Sequence, residues 1–259
     1  MSIENARELG RAFADPDVVR NYRHRPPYPD ELFAVIEGLL VAPRVVLDAG
    51  CGTGALTRRL TRFADRVDAV DPSPAMIAEA RRLPGGDDPR IRWITARAED
   101  APLAPPYGLI TTGASLHWMD PKIVMPRFRE ALAPGASLAI ADVEWVHSDH
   151  AWRSEFVALI QEYSPLDHGD DVAAFVIGLE KDGHFAPVGQ ERTSAVSVSF
   201  SVDEYLALLA STSSLSRATL GPRRATFERE ARDVLARHGL ERVRFDVVGV
   251  VVWGQPLGR

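Results

Sequence analysis

Asp48, Gly50, Gly52 and Gly54 follow the apolar run Val45-Val46-Leu47, and Asp71 closes the next run, Arg66 to Val70. Glycines just after a buried strand let the backbone turn tightly and let a ligand approach the main chain. The helix that follows offers unpaired N–H groups at its start. In this arrangement an acid at the end of the second strand accepts hydrogen bonds from ribose hydroxyls. The residues therefore predict a nucleoside-containing ligand. Gly50-x-Gly52-x-x-Ala55 also satisfies the dinucleotide fingerprint, whose pyrophosphate would lie on the helix start. Asp48, two residues before the first glycine, argues against that anion, because its carboxylate repels a pyrophosphate and suits a cation.

Further along, Thr112 and Gly113 end a fourth apolar run and are expected near the reacting end of the ligand. His117 and Trp118 follow that run and so face the crevice at the carboxyl ends of the strands. His117 is the candidate general base, since an imidazole titrates near neutrality. Against this, a lone histidine is more often structural. Trp118 serves as a pocket wall or as core. Tyr22 and Tyr28 either close over the site as substrate-binding residues or only pin the N-terminal segment. His147, Asp149 and His150 include a ligand-like spacing, but no further ligand pattern accompanies it, and no metal is expected. Cys51 reads as a small packed residue.

These residues need elements to position them. Pro29-Asp30 opens a helix through Leu40, and Val45–Leu47 has the continuous apolar character of a strand buried on both faces. Ala55–Phe63 has helical spacing. Strands are expected at Arg66–Val70, Ile91–Thr95 and Leu109–Thr112, with a fifth beginning at Ser137–Ala141. Helices are expected from Pro74 to Leu83 and from Asp120 to Leu132. Strands alternating with helices of about ten residues predict a doubly wound parallel sheet. After about residue 146 the pattern weakens. Residues 150–180 and 203–240 read as mainly helical, Thr193–Phe200 alternates like a strand, and Val243–Trp253 is apolar and β-rich. The expectation is a helical cap, a second helical insertion and a final strand pair. The divisions are 1–40 as a helical lead-in or lid, 41–146 as the ligand-binding core, and 147–259 as cap and last strands, all within one structural domain.

The 259 residues are 46% hydrophobic and 25% charged, which excludes a disordered chain or a collagen-like one. One cysteine excludes an intrachain disulfide. The net charge of −6 disfavours a polyanionic partner, so no nucleic acid is expected. Charged residues from Glu4 to Asp17 interrupt the N-terminus, so no signal core or membrane span is expected there. The expected protein is cytoplasmic, a monomer or homodimer, acting on a small molecule.

Several segments carry a family resemblance. Val45 to Gly54 is similar to the first motif of the class I S-adenosylmethionine-dependent methyltransferases, and Asp71-Pro72-Ser73-Pro74-Ala75-Met76 resembles their second. Arg97-Ala98-Glu99-Asp100-Ala101-Pro102-Leu103 resembles the segment that flanks adenine. Leu116-His117-Trp118 and Phe128 to Gly135 fit the same order, and Tyr22 to Pro29 resembles the subgroup of trans-aconitate and ubiquinone/menaquinone-pathway enzymes. The resemblance implies a Rossmann-like seven-stranded sheet, mostly parallel with an antiparallel final strand, plus a helical lid. It implies S-adenosyl-L-methionine as cofactor, held by Asp48, Ala49, Gly50, Gly52, Asp71, Pro72, Met76, Arg97, Ala98, Glu99, Thr112 and Gly113. It further implies methyl transfer to a small molecule, to oxygen ahead of nitrogen or carbon. Two departures stand out. Arg97 replaces an acid found in many relatives and cannot accept the adenine amino hydrogen bond, and Gly108 replaces an aspartate. The alternatives are a catalytically inactive cofactor-binding regulatory protein and, behind it, an NAD-linked oxidoreductase.

Overall fold

A computed structural model describes residues 10–147, 151–164 and 172–258. Its strands are β1 (Val45–Ala49), β2 (Arg66–Asp71), β3 (Ile91–Thr95), β4 (Leu109–Gly113), β5 (Leu138–Val146), β6 (Phe185–Arg192), β7 (Val196–Ser201) and β8 (Arg242–Pro256). The α-helices are α1 (Pro16–Asn21), α2 (Asp30–Leu39), α3 (Thr57–Leu60), α4 (Pro74–Arg82), α5 (Pro121–Ala131), α6 (Ala151–Tyr163), α7 (Val172–Lys181), α8 (Val202–Ala210), α9 (Arg217–Leu220) and α10 (Arg224–Arg237).

All the strands join one sheet in the order β3-β2-β1-β4-β5-β8-β6, with β7 also paired to β8. Pairs among β1 to β5 are parallel, and β8 runs antiparallel to β5, β6 and β7. The order reverses between β1 and β4, which opens a crevice at the carboxyl ends of those strands. Two apolar layers cover the sheet. One packs Leu47, Ile110 and Ile140 under Phe128 of α5 and Val176 of α7. The other packs Val46, Leu109 and Ala139 under Ile36 of α2. A third core, with Phe156, Leu208 and Phe227, joins α6, α8 and α10 to Val243, Phe245 and Val247 of β8.

The local chemistry explains the main boundaries. Proline takes the first turn of α4 and α5, where its missing N–H costs nothing. Ser73 and Asp120 cap those helices through the N–H groups of Met76 and Lys122. Ser201 and Glu204 form a capping box that starts α8.

The sheet has eight strands, one more than the sequence reading predicts. The additional strand is β6, which contains Pro187 and Gly189 and shifts register between them. Proline is tolerated there because β6 is an edge. The helix expected over Ala55–Phe63 is regular only over Thr57–Leu60. Around it the bonds mix spacings: Arg59 N–H reaches Leu56 O, three residues back, and Leu60 N–H reaches the same carbonyl, four back. The final strand runs from Arg242 to Pro256, longer at both ends than the apolar run.

Candidate functional site

A cavity of about 380 Å³ opens at the ends of β1, β2 and β4. Gly50 and Gly52 form one wall, and Asp71, Pro72, Ser73 and Met76 form a second. Arg97, Ala98 and Glu99 close a third side, and Gly113, Ala114, Ser115, Trp118 and Met119 a fourth. Gly10, Arg11, Phe13, Ala14 and Tyr22 arrive from the N-terminal segment.

The glycine loop is shaped by contacts that a side chain would break. Gly50 has φ +74°, and a Cβ there would stand 2.4 Å from Ser115 Cβ. Ser115 is held in place by its hydroxyl, which donates to Ala49 O at 2.7 Å. The N–H groups of Gly50 and Cys51 both donate to Val70 O, which folds the loop against β2. Asp71 Oδ2 accepts from Gly52 N–H at 2.8 Å and Oδ1 from Ser73 N–H at 2.8 Å. Burial raises its pKa, opposed by those two hydrogen bonds. The carboxylate is thus oriented, and its remaining lone pairs suit a vicinal diol.

Asp48 sits differently from the sequence expectation. It is fully buried behind the loop and accepts from the hydroxyls of Thr57 and Thr111, on Oδ2 and Oδ1 respectively. Burial pushes it up to about 6 against those two bonds. It ties α3 to β4 and does not line the cavity, so any influence on a bound cation is through space. Ala49 and Thr112 are likewise buried and off the cavity wall.

Arg97 donates to Glu99 Oε1 at 2.7 Å, and Glu99 Oε1 also accepts from Asp120 N–H at 3.1 Å. Burial raises Glu99, but the Arg97 guanidinium and the backbone N–H groups prevail and its pKa is lowered. The acid in this segment is therefore a paired carboxylate, and Ala98 beside it lines the cavity.

His117 lies outside the cavity lining. Its ring stands 4.5 Å from Trp118 and 6.2 Å from Phe175. Burial, with the nearby Arg25 charge, lowers it to about 4. The ring is neutral near pH 7 and a weak base. Trp118 lines the cavity and packs edge-on to Phe13 at 5.5 Å. Tyr28 does not line it, but its hydroxyl would be 2.7 Å from a Cβ on Gly113, which does. Tyr28 is pushed well above the ordinary phenol value and Tyr22 is raised, both chiefly by burial. His147 stacks on Phe245 at 4.6 Å, while Asp149 and His150 lie outside the described residues.

The sequence reading placed residues 1–40 as a helical lead-in or lid but named no cavity residue in the strap from Gly10 to Ala14. Phe13 packs on Tyr22 and Trp118, and its carbonyl accepts from the Ser73 hydroxyl at 2.9 Å. No glycine pattern or paired acid marks that strap. Ser115 and Met119 were within reach, since they bracket His117 and Trp118 in the loop after β4.

Comparison with known proteins agrees with this arrangement. Residues 46–135, about a third of the chain, match the model of a methyltransferase domain family. An uncharacterized methyltransferase of Mycobacterium tuberculosis is 37% identical over 120 residues, 46% of each chain. A trans-aconitate 2-methyltransferase of Streptomyces avermitilis is 34% identical over 127 residues, 47% of each. The chain thus spans about half the length of these curated relatives. A solved structure from Anaeromyxobacter dehalogenans, assigned provisionally as a type II methyltransferase, has the same fold. It superposes with a TM-score of 0.69 at 24% identity, over 91% of this chain and 99% of that one. The matched segment contains the glycine loop, Asp71 and the residues from Arg97 to Met119 that wall the cavity. Over residues 46–135 the chain is similar to a methyltransferase domain.

Proposed function

We propose that the protein transfers a methyl group from S-adenosylmethionine to a small-molecule acceptor, at oxygen. The observation that carries this reading is the Asp71 carboxylate, oriented by two backbone N–H groups at the wall of the glycine-loop cavity. The residues present fit that cofactor. Asp71 offers acceptors to a ribose diol, and Pro72, Met76 and Ala98 offer apolar surface and main chain to a base. Asp71 and the buried Asp48 favour a cation over a pyrophosphate, while the Glu99 charge is offset by Arg97. When bound, the cofactor supplies an electrophilic methyl group on a sulfonium. The chain's own part is to position and to exclude water: Tyr22, Phe13 and Trp118 wall the cavity with aromatic surface.

Calorimetric titration with S-adenosylhomocysteine, with NADH as control, tests this. One-site binding of the homocysteine compound alone is expected. Binding of NADH alone would overturn the reading in favour of a dinucleotide enzyme. Tight binding of the homocysteine compound without methyl transfer to any extract would favour the regulatory alternative.

A further inference from the structure

A second group of polar residues gathers beside the cavity and is used by none of the contacts above. Gly113 of β4, on the cavity wall, pairs with Ala141 of β5, and Ala114 N–H donates to Ala141 O at 2.9 Å. Asp142 is the next residue of β5. Its Oδ1 accepts from Val143 N–H at 2.7 Å. Among the described residues no donor reaches its second oxygen, and that oxygen is not sealed from solvent. Arg25 stands over the Tyr22 ring, 5.1 Å from its centroid. The guanidinium is fixed from the cap, with Nε and Nη2 donating to the hydroxyl and carbonyl of Ser211 at 2.8 and 3.1 Å. The Arg25 charge acts on Asp142, Tyr22, Tyr28 and His117 together.

We propose that Asp142 is a catalytic residue that binds the acceptor hydroxyl and takes its proton, and that the acceptor is a phenol or enol whose oxyanion lies in the field of Arg25. This rests on the methyl-transfer reading and names its substrate class. In the step, the acceptor O–H proton passes to the free oxygen of Asp142. The acceptor oxygen forms a bond to the methyl carbon as the carbon–sulfur bond breaks, and the sulfonium becomes a neutral thioether.

The chemistry selects this class among oxygen acceptors. A carboxylate acceptor needs no base and would be repelled by Asp142. An aliphatic alcohol is far too weak an acid for a carboxyl group to deprotonate. A hydroxyl on an unsaturated carbon lies between them, and its planar framework suits Tyr22, Tyr28 and Trp118. Burial supports the assignment by lifting Asp142 to about 6, so that it is an anion of useful basicity near pH 7. The charged and titratable groups around it are Arg25, Tyr22 and Tyr28 from the N-terminal segment and Glu144 of its own strand. Glu144 is ion-paired to Arg192 of β6 at 2.6 Å.

The test compares 4-methylphenol with 4-methylanisole, which lacks the hydroxyl, binding to protein saturated with S-adenosylhomocysteine. Wild type is expected to prefer the phenol by about tenfold or more, the range of one hydrogen bond to a charged group. Asp142→Asn is expected to erase that preference while leaving the affinity for S-adenosylhomocysteine within about twofold and the melting temperature near pH 7 no lower than that of wild type. Asp142→Ser, which also keeps an acceptor for Val143 N–H, serves if the asparagine variant fails to fold. In turnover, the Asp142→Asn defect is expected to shrink as the phenol becomes more acidic and arrives already ionised. An undiminished preference in Asp142→Asn, a defect independent of phenol acidity, or loaded wild type that does not prefer the phenol would each overturn the proposal. Failure to bind S-adenosylhomocysteine at all would instead overturn the reading beneath it.

Discussion

Asp71 Oδ2 accepts the Gly52 N–H at 2.8 Å, so the acid that ends β2 is fastened to the loop that follows β1. The same carboxylate therefore shapes the loop and faces the cavity. Replacing Asp71 with alanine is expected to weaken S-adenosylhomocysteine binding by about 10–100-fold, the range for hydrogen bonds to a charged group. Asp71→Asn keeps one oxygen acceptor and is expected to lose less. Calorimetry on both variants checks the order.

Gly113 has no room for a methyl group. A Cβ there would stand 2.5 Å from Leu56 Cδ1 and 2.7 Å from the Tyr28 hydroxyl. Gly113→Ala is expected to cost about 1–3 kcal/mol by overpacking. It should also displace Tyr28 and lower turnover. Thermal melts read the first effect and methyl transfer the second. A variant with wild-type melting would show that Leu56 and Tyr28 yield freely.

Asp48 makes an opposite prediction for alanine and asparagine. Asp48→Ala strands the buried Thr57 hydroxyl and leaves Thr111 only its longer contact to Leu47 O at 3.4 Å, and is expected to cost about 1–3 kcal/mol. Asp48→Asn keeps a partner for them and removes a buried charge. The folded-state value near 6 lies above the ordinary 3.8, so between these values the native protein holds a proton that the unfolded chain releases. Stability from this group is full below about 3.8 and lost as pH rises through about 6. The melting temperature of Asp48→Asn relative to wild type is therefore expected to rise from pH 4 to pH 6.

His147 titrates in the other sense. Burial foremost, with the Arg153 charge, lowers it to about 4, below the ordinary 6.5. The unfolded chain takes up a proton across that window and the native protein does not. Stability from this group is full above about 6.5 and lost as pH falls toward 4. Its Nε2 is buried without a hydrogen-bond partner among the described residues. His147→Phe preserves the stack on Phe245 and is expected to flatten the acid-side fall in melting temperature. An unchanged acid limb would locate that fall elsewhere.

The alternation of short strands and helices made the first five strands legible, along with the crevice after β1 and β4. Asp71, Gly50 and Gly52 were placed by the spacing of strand end and loop, whereas Met76, inside α4, came only through the family resemblance. Asp48 was not. Spacing places it at the end of β1, but the side-chain alternation of the strand turns it toward Thr57 and Thr111, away from the cavity. His117, too, lies off the cavity wall. A loop after β4 reaches the crevice, yet the aromatic contacts with Trp118 and Phe175 decide where the ring lies. Arg25 and Asp142 lie far apart in sequence and meet only through the tertiary fold, so no local pattern could pair them. The strand β6 carries a proline and alternates poorly, as an edge with a register shift allows.

β8 joins the two main cores along its length, a task β5 shares only through Leu138 and Ile140 on one side and the partly buried Val143 and Trp145 on the other. In β8, Val248, Val250 and Val252 belong to the core beneath the crevice, and Val243, Phe245 and Val247 belong to the core of the cap. Cutting the chain after β5 would remove the strand that pairs with nine residues of β5, from Leu138 to Val146. What remained would present a bare, apolar sheet edge, the kind of surface that drives aggregation. The amino-terminal half, though it holds every motif, is thus not a fragment that can be excised and studied alone. Its β5 edge is covered only by the fifteen-residue strand near the end of the described chain.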